Sequence, residues 1–391
     1  MSTALTRLRK FDPQVIVFWP QGISLSQYQI WEPYIRNSRH RIAVVARNHE
    51  GKVRPEASNV FFEDEDGITL EDINALKSFR TALYPTLRPR VATLIKAFPG
   101  MFHVFIGHGD SDKESSSRST AGQFDYIFVA DADARLRYCH ERFSQRMFYE
   151  IGAPFYEGIK QAKSDAKASR VVYAPTWEGY SDGNNYTSLP TISEIATNQP
   201  RVFGGLAMSF MCHPGAGVRL PEVKSAVAVL ERRFTASKNS SKTSVFNSSD
   251  AMLTDISGVM TEYLATRKPI VVTDIGTEAF RSALARSTLT EYVALWSPSA
   301  ESLSDAIARA MTDPIKSARE AAATRKFGGA TSSKEAWERF DSAISDVSFG
   351  RGRTTPPRFD LRRRAFKLKH VGLGVFRGVT RRIHLKRTSG R

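Results

Sequence analysis

Residues 15–20 read Val15-Ile16-Val17-Phe18-Trp19-Pro20, and residues 42–46 read Ile42-Ala43-Val44-Val45-Ala46. Each run is short and apolar at every position, and the first is closed by a proline. Between them, Tyr28 to Ile35 is compatible with a helix. An uninterrupted apolar run suits a strand covered on both faces, as in a parallel sheet with helices on either side. The stretch therefore reads as βαβ winding.

The same pattern continues along the chain. Helical segments are expected near Leu70 to Tyr84 and Val91 to Ala97, strands at Val104 to Ile106 and Tyr126 to Val129, and a helix at Ala132 to Arg146. After the polar stretch Lys160 to Ser169 a second series begins. Its apolar runs are Val171 to Tyr173, Leu206 to Met211, Ala251 to Leu253 and Ile270 to Val272, separated by helix-compatible segments. Helices are expected at Ala300 to Met311, Ile315 to Lys326 and Lys334 to Ile344, and Gly350 to Pro357 reads as a linker. The fold class is α/β: two Rossmann-like, doubly wound domains over residues 1–151 and 170–346, a hinge near residues 152–169, and a basic C-terminal tail, residues 351–391.

Composition agrees with that architecture. A chain of 391 residues with 41% hydrophobic and 25% charged residues is neither fibrous nor wholly disordered. Its two cysteines, Cys139 and Cys212, suggest no disulfide framework and no zinc cluster, which points to the cytoplasmic side of a membrane. Met1 to Lys10 lacks the apolar core of a signal peptide, and no apolar run reaches the length of a membrane span. The formal charge of +16 is unevenly spread: residues 351–391 hold fourteen Lys or Arg against one acid, Asp360, leaving only +3 for the other 350 residues. The body is thus nearly neutral, and the basicity belongs to an appendage.

In open α/β sheets ligands bind beyond the carboxyl ends of strands, so the turns there come first. Gly107-His108-Gly109-Asp110 follows one strand, its glycines leaving the imidazole uncrowded; a loop histidine without function is the plainer alternative. Ala174-Pro175-Thr176-Trp177-Glu178-Gly179 follows another, with a hydroxyl and an aromatic that could equally pack under the loop. Cys212-His213-Pro214-Gly215 places a second histidine at a strand end. The most informative turn runs from Asp250 through Thr254, Asp255 and Ile256 to Ser257 and Gly258, with Ser257 expected at the N-cap of a helix running toward Thr266. Unpaired N–H groups at such a helix start can cradle a phosphate, and Glu262 lies within reach of a sugar hydroxyl. An ordinary cap followed by a solvated acid is the competing reading.

Taken together, Gly107-His108-Gly109 with Lys113, Tyr173 to Trp177, His213-Pro214, and Leu253 to Gly258 with Glu262 and Lys268-Pro269-Ile270 resemble the CDP-glycerol glycerophosphotransferase family, the teichoic acid polymerases and primases. Order and spacing agree as well as identity, in separated blocks over roughly residues 104–275. The resemblance implies a GT-B fold with the site in a central cleft, an N-terminal acceptor domain and a C-terminal nucleotide-donor domain. It implies transfer of glycerol phosphate from CDP-glycerol to a hydroxyl of a lipid-linked or polymeric cell-envelope acceptor, releasing CMP. By motif His108 matches the family's catalytic base and His213 its second essential histidine, at the phosphates. Ser257 and Gly258 match the pair that binds the donor diphosphate, and Glu262 the acid that holds the ribose. Gly109, Lys113, Thr176, Trp177, Thr254 and Asp255 complete the expected substrate-binding set. Two positions depart from the pattern: Ile256 replaces the usual tyrosine, and Gly258 replaces a serine, keeping only a backbone donor. The donor alcohol, glycerol, ribitol or another polyol, is left open.

No required cofactor is expected, because the chain shows no cluster of carboxylates resembling a metal site. In residues 351–391, basic residues alternate with Phe359, Leu361, Phe366, Leu368, Phe376 and Ile383, and Leu361, Ala365 and Leu368 share one helical face. Such a segment suits an anionic membrane surface, which gives a cytoplasmic, peripheral location on the inner face of the cell membrane; Gly372, Gly374 and Gly378 weaken a continuous helix, and a disordered basic tail is the plainer alternative. A GT-B glycosyltransferase using a nucleotide sugar is one alternative. A nucleic-acid-binding protein acting through the tail is another, but it leaves the strand-end motifs unexplained, so no nucleic-acid partner is expected.

Overall fold

The computed structural model describes residues 3–20, 25–47, 59–107, 109–110, 119–138, 147–162, 168–237, 240–285 and 287–350. In chain order the strands are β1 (Val15–Trp19), β2 (Ile42–Ala46), β3 (Val60–Phe62), β4 (Thr81–Tyr84), β5 (Phe102–Phe105), β6 (Tyr126–Val129), β7 (Phe148–Glu150), β8 (Arg170–Ala174), β9 (Ala207–Phe210), β10 (Thr235–Ala236), β11 (Ala251–Thr254), β12 (Ile270–Thr273) and β13 (Ala294–Trp296). They form two sheets, ordered β3-β2-β1-β4-β5-β6-β7 and β10-β9-β8-β11-β12-β13. Every pairing is parallel. In each sheet the winding reverses once, between β1 and β4 and between β8 and β11. A reversal of this kind opens a crevice past the strands' carboxyl ends.

The apolar runs become strands because both faces of each sheet are covered. β1, β2, β4, β11 and β12 are buried along their whole length. Aromatic side chains fill one side of the first sheet: Phe18 stacks on Tyr84 and Phe98, and Phe79 meets both Phe18 and Phe98 edge-on. Each large apolar side chain buried this way contributes about 1.5–3 kcal/mol.

Two expectations need correcting. Leu70 to Tyr84 is not one helical segment: a short helix, Leu70–Asn74, starts from a reciprocal cap between Thr69 and Asp72, and β4 follows. The helix closes at Asn74 with Ala75 as its C-cap, and farther on Ser78 donates both its N–H and its hydroxyl to Asp12. Beyond it Thr81–Tyr84 completes the ladder between β1 and β5, and those partners override local preference. The helix expected from Ala132 to Arg146 is described only as Ala132–Leu136, capped by Asp131; residues 139–146 lie outside the described residues. β3, β7, β10 and β13, each of two or three residues, are too short to stand out in the sequence.

The chain crosses between the sheets twice, and the crossings touch. Outgoing, Ala153 donates its N–H to the carbonyl of Lys326 at 2.7 Å on the returning segment. Gly152 has φ of +82°, and a Cβ there would lie 2.8 Å from the Phe327 carbonyl, so only glycine allows the approach. The Phe155 and Phe327 rings pack edge to face. After this seam, helix Ser333–Phe349 returns to the first sheet: Phe340 contacts Trp31, Tyr34 and Phe128, and Asp341 accepts from the Ser38 hydroxyl and the Arg39 N–H.

Candidate functional site

The two halves present strand-end turns of different construction. In the first, the chain leaves β5 through Ile106 and enters Gly107 at φ +63°, with Gly109 at φ +126°. Both values lie in the region that glycine alone enters without strain, which accounts for the pair flanking His108. Trp31, buried in helix Leu25–Arg36, donates its indole N–H to the Gly107 carbonyl at 2.9 Å. On the other side the Asp110 carboxylate is paired with Arg137 and with Lys326, the latter at 3.1 Å. Lys326 also approaches Asp131 at 3.4 Å. Burial alone would raise the Asp110 carboxyl, but the Arg137 and Lys326 charges outweigh it and hold the group below the usual carboxylate range. His108 itself and Lys113 lie outside the described residues.

In the second half the turns after β8 and β11 meet at the winding reversal. Thr254 donates its hydroxyl to the Ala174 carbonyl at 2.7 Å, and the Thr176 N–H reaches the Asp255 carboxylate at 2.8 Å. Thr187 adds a bond to the Thr176 carbonyl at 2.7 Å. Thr176, Thr254 and Asp255 are buried and knit the two strand ends together. Ser257, which follows them in the chain, is itself only 5% exposed.

Ser257 stands at the N-cap of helix Gly258–Leu264, in extended conformation, but its side chain makes no capping bond. Its hydroxyl lies 3.5 Å from that of Thr254. The helix closes at Leu264, short of Thr266, whose hydroxyl donates to the Tyr263 carbonyl.

Glu262 is not a solvated acid. Its carboxylate pairs with the Lys242 ammonium at 2.7 Å, and the same ammonium donates to the Tyr156 hydroxyl at 3.1 Å while lying over that ring. Burial, together with the Glu262 charge, pushes the Tyr156 phenol well above its ordinary value, so it stays protonated. Tyr156 arrives on the outgoing crossing and Lys242 at the start of helix Lys242–Ser248. Neither was singled out in the sequence.

His213 is fixed from two directions. The Gly215 N–H donates to its Nδ1 at 3.0 Å, so the neutral ring carries its proton on Nε2. Its ring is stacked on Trp177, 9° from parallel at 5.9 Å, and Trp177 is met edge-on by Tyr180 at 4.7 Å. The loop after His213 is folded around Glu178, whose side chain is fully buried. One carboxylate oxygen accepts from Arg219 N–H (2.7 Å) and Leu220 N–H (3.1 Å), the other from Gly217 N–H (3.0 Å). The Arg219 guanidinium closes the loop onto the Glu178 and Gly179 carbonyls and Asp182. Glu178 is a site residue that the sequence did not reveal: an acid between Trp177 and Gly179 looks like any turn residue.

Two carboxylates in this half depend on backbone donors. Burial raises Glu178, but the N–H groups around it outweigh that and lower it. Asp250 is lowered as well: burial opposes, but Arg170 and Ser169 prevail. A carboxyl whose folded pKa is depressed adds stability above its unfolded value of about 4 and loses it as pH falls toward the folded value. The urea midpoint is therefore expected to fall steadily from pH 5 to pH 3, and Glu178→Gln to flatten part of that slope. A profile unchanged by the substitution would contradict the assignment.

The sequence profile described as CDP-Glycerol:Poly(glycerophosphate) glycerophosphotransferase matches residues 111–331, more than half of the chain and the span holding Trp177, His213, Ser257 and Glu262. No curated protein sequence matches significantly. Among solved structures the chain is similar to the Wall Teichoic Acid Polymerase TagF, at 14% identity with a TM-score of 0.53, covering 86% of this chain and 89% of that one. It is also similar to Anabaena HepE in complex with UDP and glucose, at 12% identity with a TM-score of 0.51, covering 86% and 100%. At such identities the likeness concerns the fold, the two-sheet GT-B architecture.

Proposed function

The chain belongs to the CDP-Glycerol:Poly(glycerophosphate) glycerophosphotransferase family, and from that premise we propose that it moves glycerol phosphate, or a related polyol phosphate, from a CDP-activated donor to a hydroxyl of a lipid-linked or polymeric cell-envelope acceptor. The observation that carries this reading is the family match across the strand-end turns of the second sheet, where His213 and Ser257 are presented.

His108 takes the proton of the acceptor hydroxyl, and the acceptor oxygen bonds to the phosphorus bearing the polyol. The bond from that phosphorus to the bridging oxygen breaks, and CMP leaves with the electron pair. Charge growing on the leaving phosphate is met by the Nε2–H of His213, by the Ser257 hydroxyl and by the N–H of Gly258. Trp177 holds the His213 ring, Lys113 reaches the phosphates, and Glu262 holds the ribose, itself oriented by Lys242 and Tyr156. With these groups supplying the positive field, the proposed reaction needs no obligatory metal.

Residues 351–391 lie outside the described residues. Their charge of +13 supports docking on an anionic membrane surface beside the acceptor, each basic residue contributing about 1 kcal/mol. Among the described residues no helix is long and apolar enough to cross a membrane. Nucleic acid is not a partner in this reading.

Calorimetric titration with CDP-glycerol, CDP-ribitol and UDP- or GDP-sugars tests the donor. A CDP-polyol is expected to bind, and Ser257→Ala to weaken it about 10- to 100-fold, the effect of one hydrogen bond to a charged group. Binding of a sugar nucleotide in preference to both CDP-polyols would overturn the donor assignment.

A further inference from the structure

The backbone on either side of His108 is held by side chains to which the reaction assigns no chemistry. Before it, Trp31 grips the Gly107 carbonyl; after it, Asp110 is gripped by Arg137 and Lys326. Lys326 is the last residue of helix Ile315–Lys326 and nearly three hundred residues downstream of Trp31. Its side chain is 5% exposed and that of Asp110 8%. Its own carbonyl receives the Ala153 N–H, and the next residue, Phe327, is the one against which Gly152 packs. A single residue thus joins three things: the outgoing crossing, the returning crossing and the turn that carries His108.

A buried ammonium is costly unless its charge is met, so a lysine used merely to fill space here would be replaced at no loss by an apolar side chain. What an ammonium adds is direction. Asp110 and Asp131 lie on the turns after β5 and β6, and Lys326 reaches both from the seam.

We propose that Lys326 is a positioning residue for the turn carrying His108, transmitting the placement of the seam between the two sheets to Asp110. The proposal rests on the reading of His108 as the base, and it concerns Gly109 and Asp110 directly. Trp31 is the fixed partner on the other flank, within the first half of the molecule.

The test compares full-length wild type, Lys326→Met, and the double variant Lys326→Met with Asp110→Asn, in which the carboxylate charge that Lys326 shares with Arg137 is removed together with the ammonium. Two quantities are read: hydrogen exchange of the peptide spanning residues 105–111, and kcat and KM for CMP release from CDP-glycerol. The double variant is expected to recover most of the thermal stability lost in Lys326→Met. In both variants the 105–111 peptide exchanges at least about tenfold faster while peptides of β1 and β11 stay protected. In both, kcat falls about 10- to 100-fold with KM within about threefold, as for a displaced catalytic group. Wild-type exchange in the turn of the folded double variant overturns the proposal, as does faster exchange spread evenly over the chain. If wild type releases no CMP, the functional reading fails on its own, and the exchange comparison still decides the role of Lys326.

Discussion

Replacing His108 by alanine is expected to lower the rate of CMP release about 10²- to 10⁴-fold, the range for loss of a general base. Affinity for the CDP donor should change by less than about threefold, because the groups proposed to hold the donor, Lys113 apart, belong to the second half of the chain. The structural grounds lie in the flanks of His108. Gly107 and Gly109 both take positive φ, and Trp31 and Asp110 fix the backbone on both sides. Single-turnover kinetics separates the chemical step from binding. Loss of donor affinity with an unchanged chemical step would show that His108 belongs to the donor site instead.

Glu178→Ala is expected to be the most destabilising change in the second half, by about 3–5 kcal/mol. Three backbone N–H groups, of Gly217, Arg219 and Leu220, converge on one buried carboxylate. Alanine leaves all three without that acceptor, and each unsatisfied group costs about 1–3 kcal/mol. The same loop begins at His213, so turnover should fall even at temperatures where the variant remains folded. Glu178→Gln retains one acceptor oxygen and should lie between wild type and alanine in both respects. Urea unfolding together with CMP release measures the two effects. A loss of stability below 1 kcal/mol would mean that the loop is held by Arg219 and its carbonyl contacts alone.

What the sequence disclosed follows from the range of the forces involved. β1, β2 and β6 coincide with their apolar runs, because burial on both faces leaves an unbroken hydrophobic signature. Thr81–Tyr84 did not declare itself as a strand, since its pairing with β1 and β5 is nonlocal. Nor could chain order show that helix Ser333–Phe349 packs its Phe340 against Trp31 and Tyr34 of the first half.

The site divides the same way. Ser257 at a helix start was legible from a serine and glycine just past an apolar run. The Lys242 and Tyr156 partners of Glu262 were not, because they come from separate segments joined only by folding. In the sequence Asp110 only closed the Gly107-His108-Gly109-Asp110 turn, and only the structure shows it buried against Lys326, more than two hundred residues away. Glu178 satisfies backbone groups, and backbone groups leave no mark on a sequence.

The central claim is tested most directly by following phosphorus NMR of the purified protein with CDP-glycerol, a lipid-linked hydroxyl acceptor and anionic vesicles. The account predicts CMP appearing in step with a new phosphodiester on the acceptor, both abolished in His108→Ala and His213→Ala. Absence of CMP from CDP-glycerol and CDP-ribitol alike, with UDP or GDP released from a sugar nucleotide under the same conditions, would contradict it.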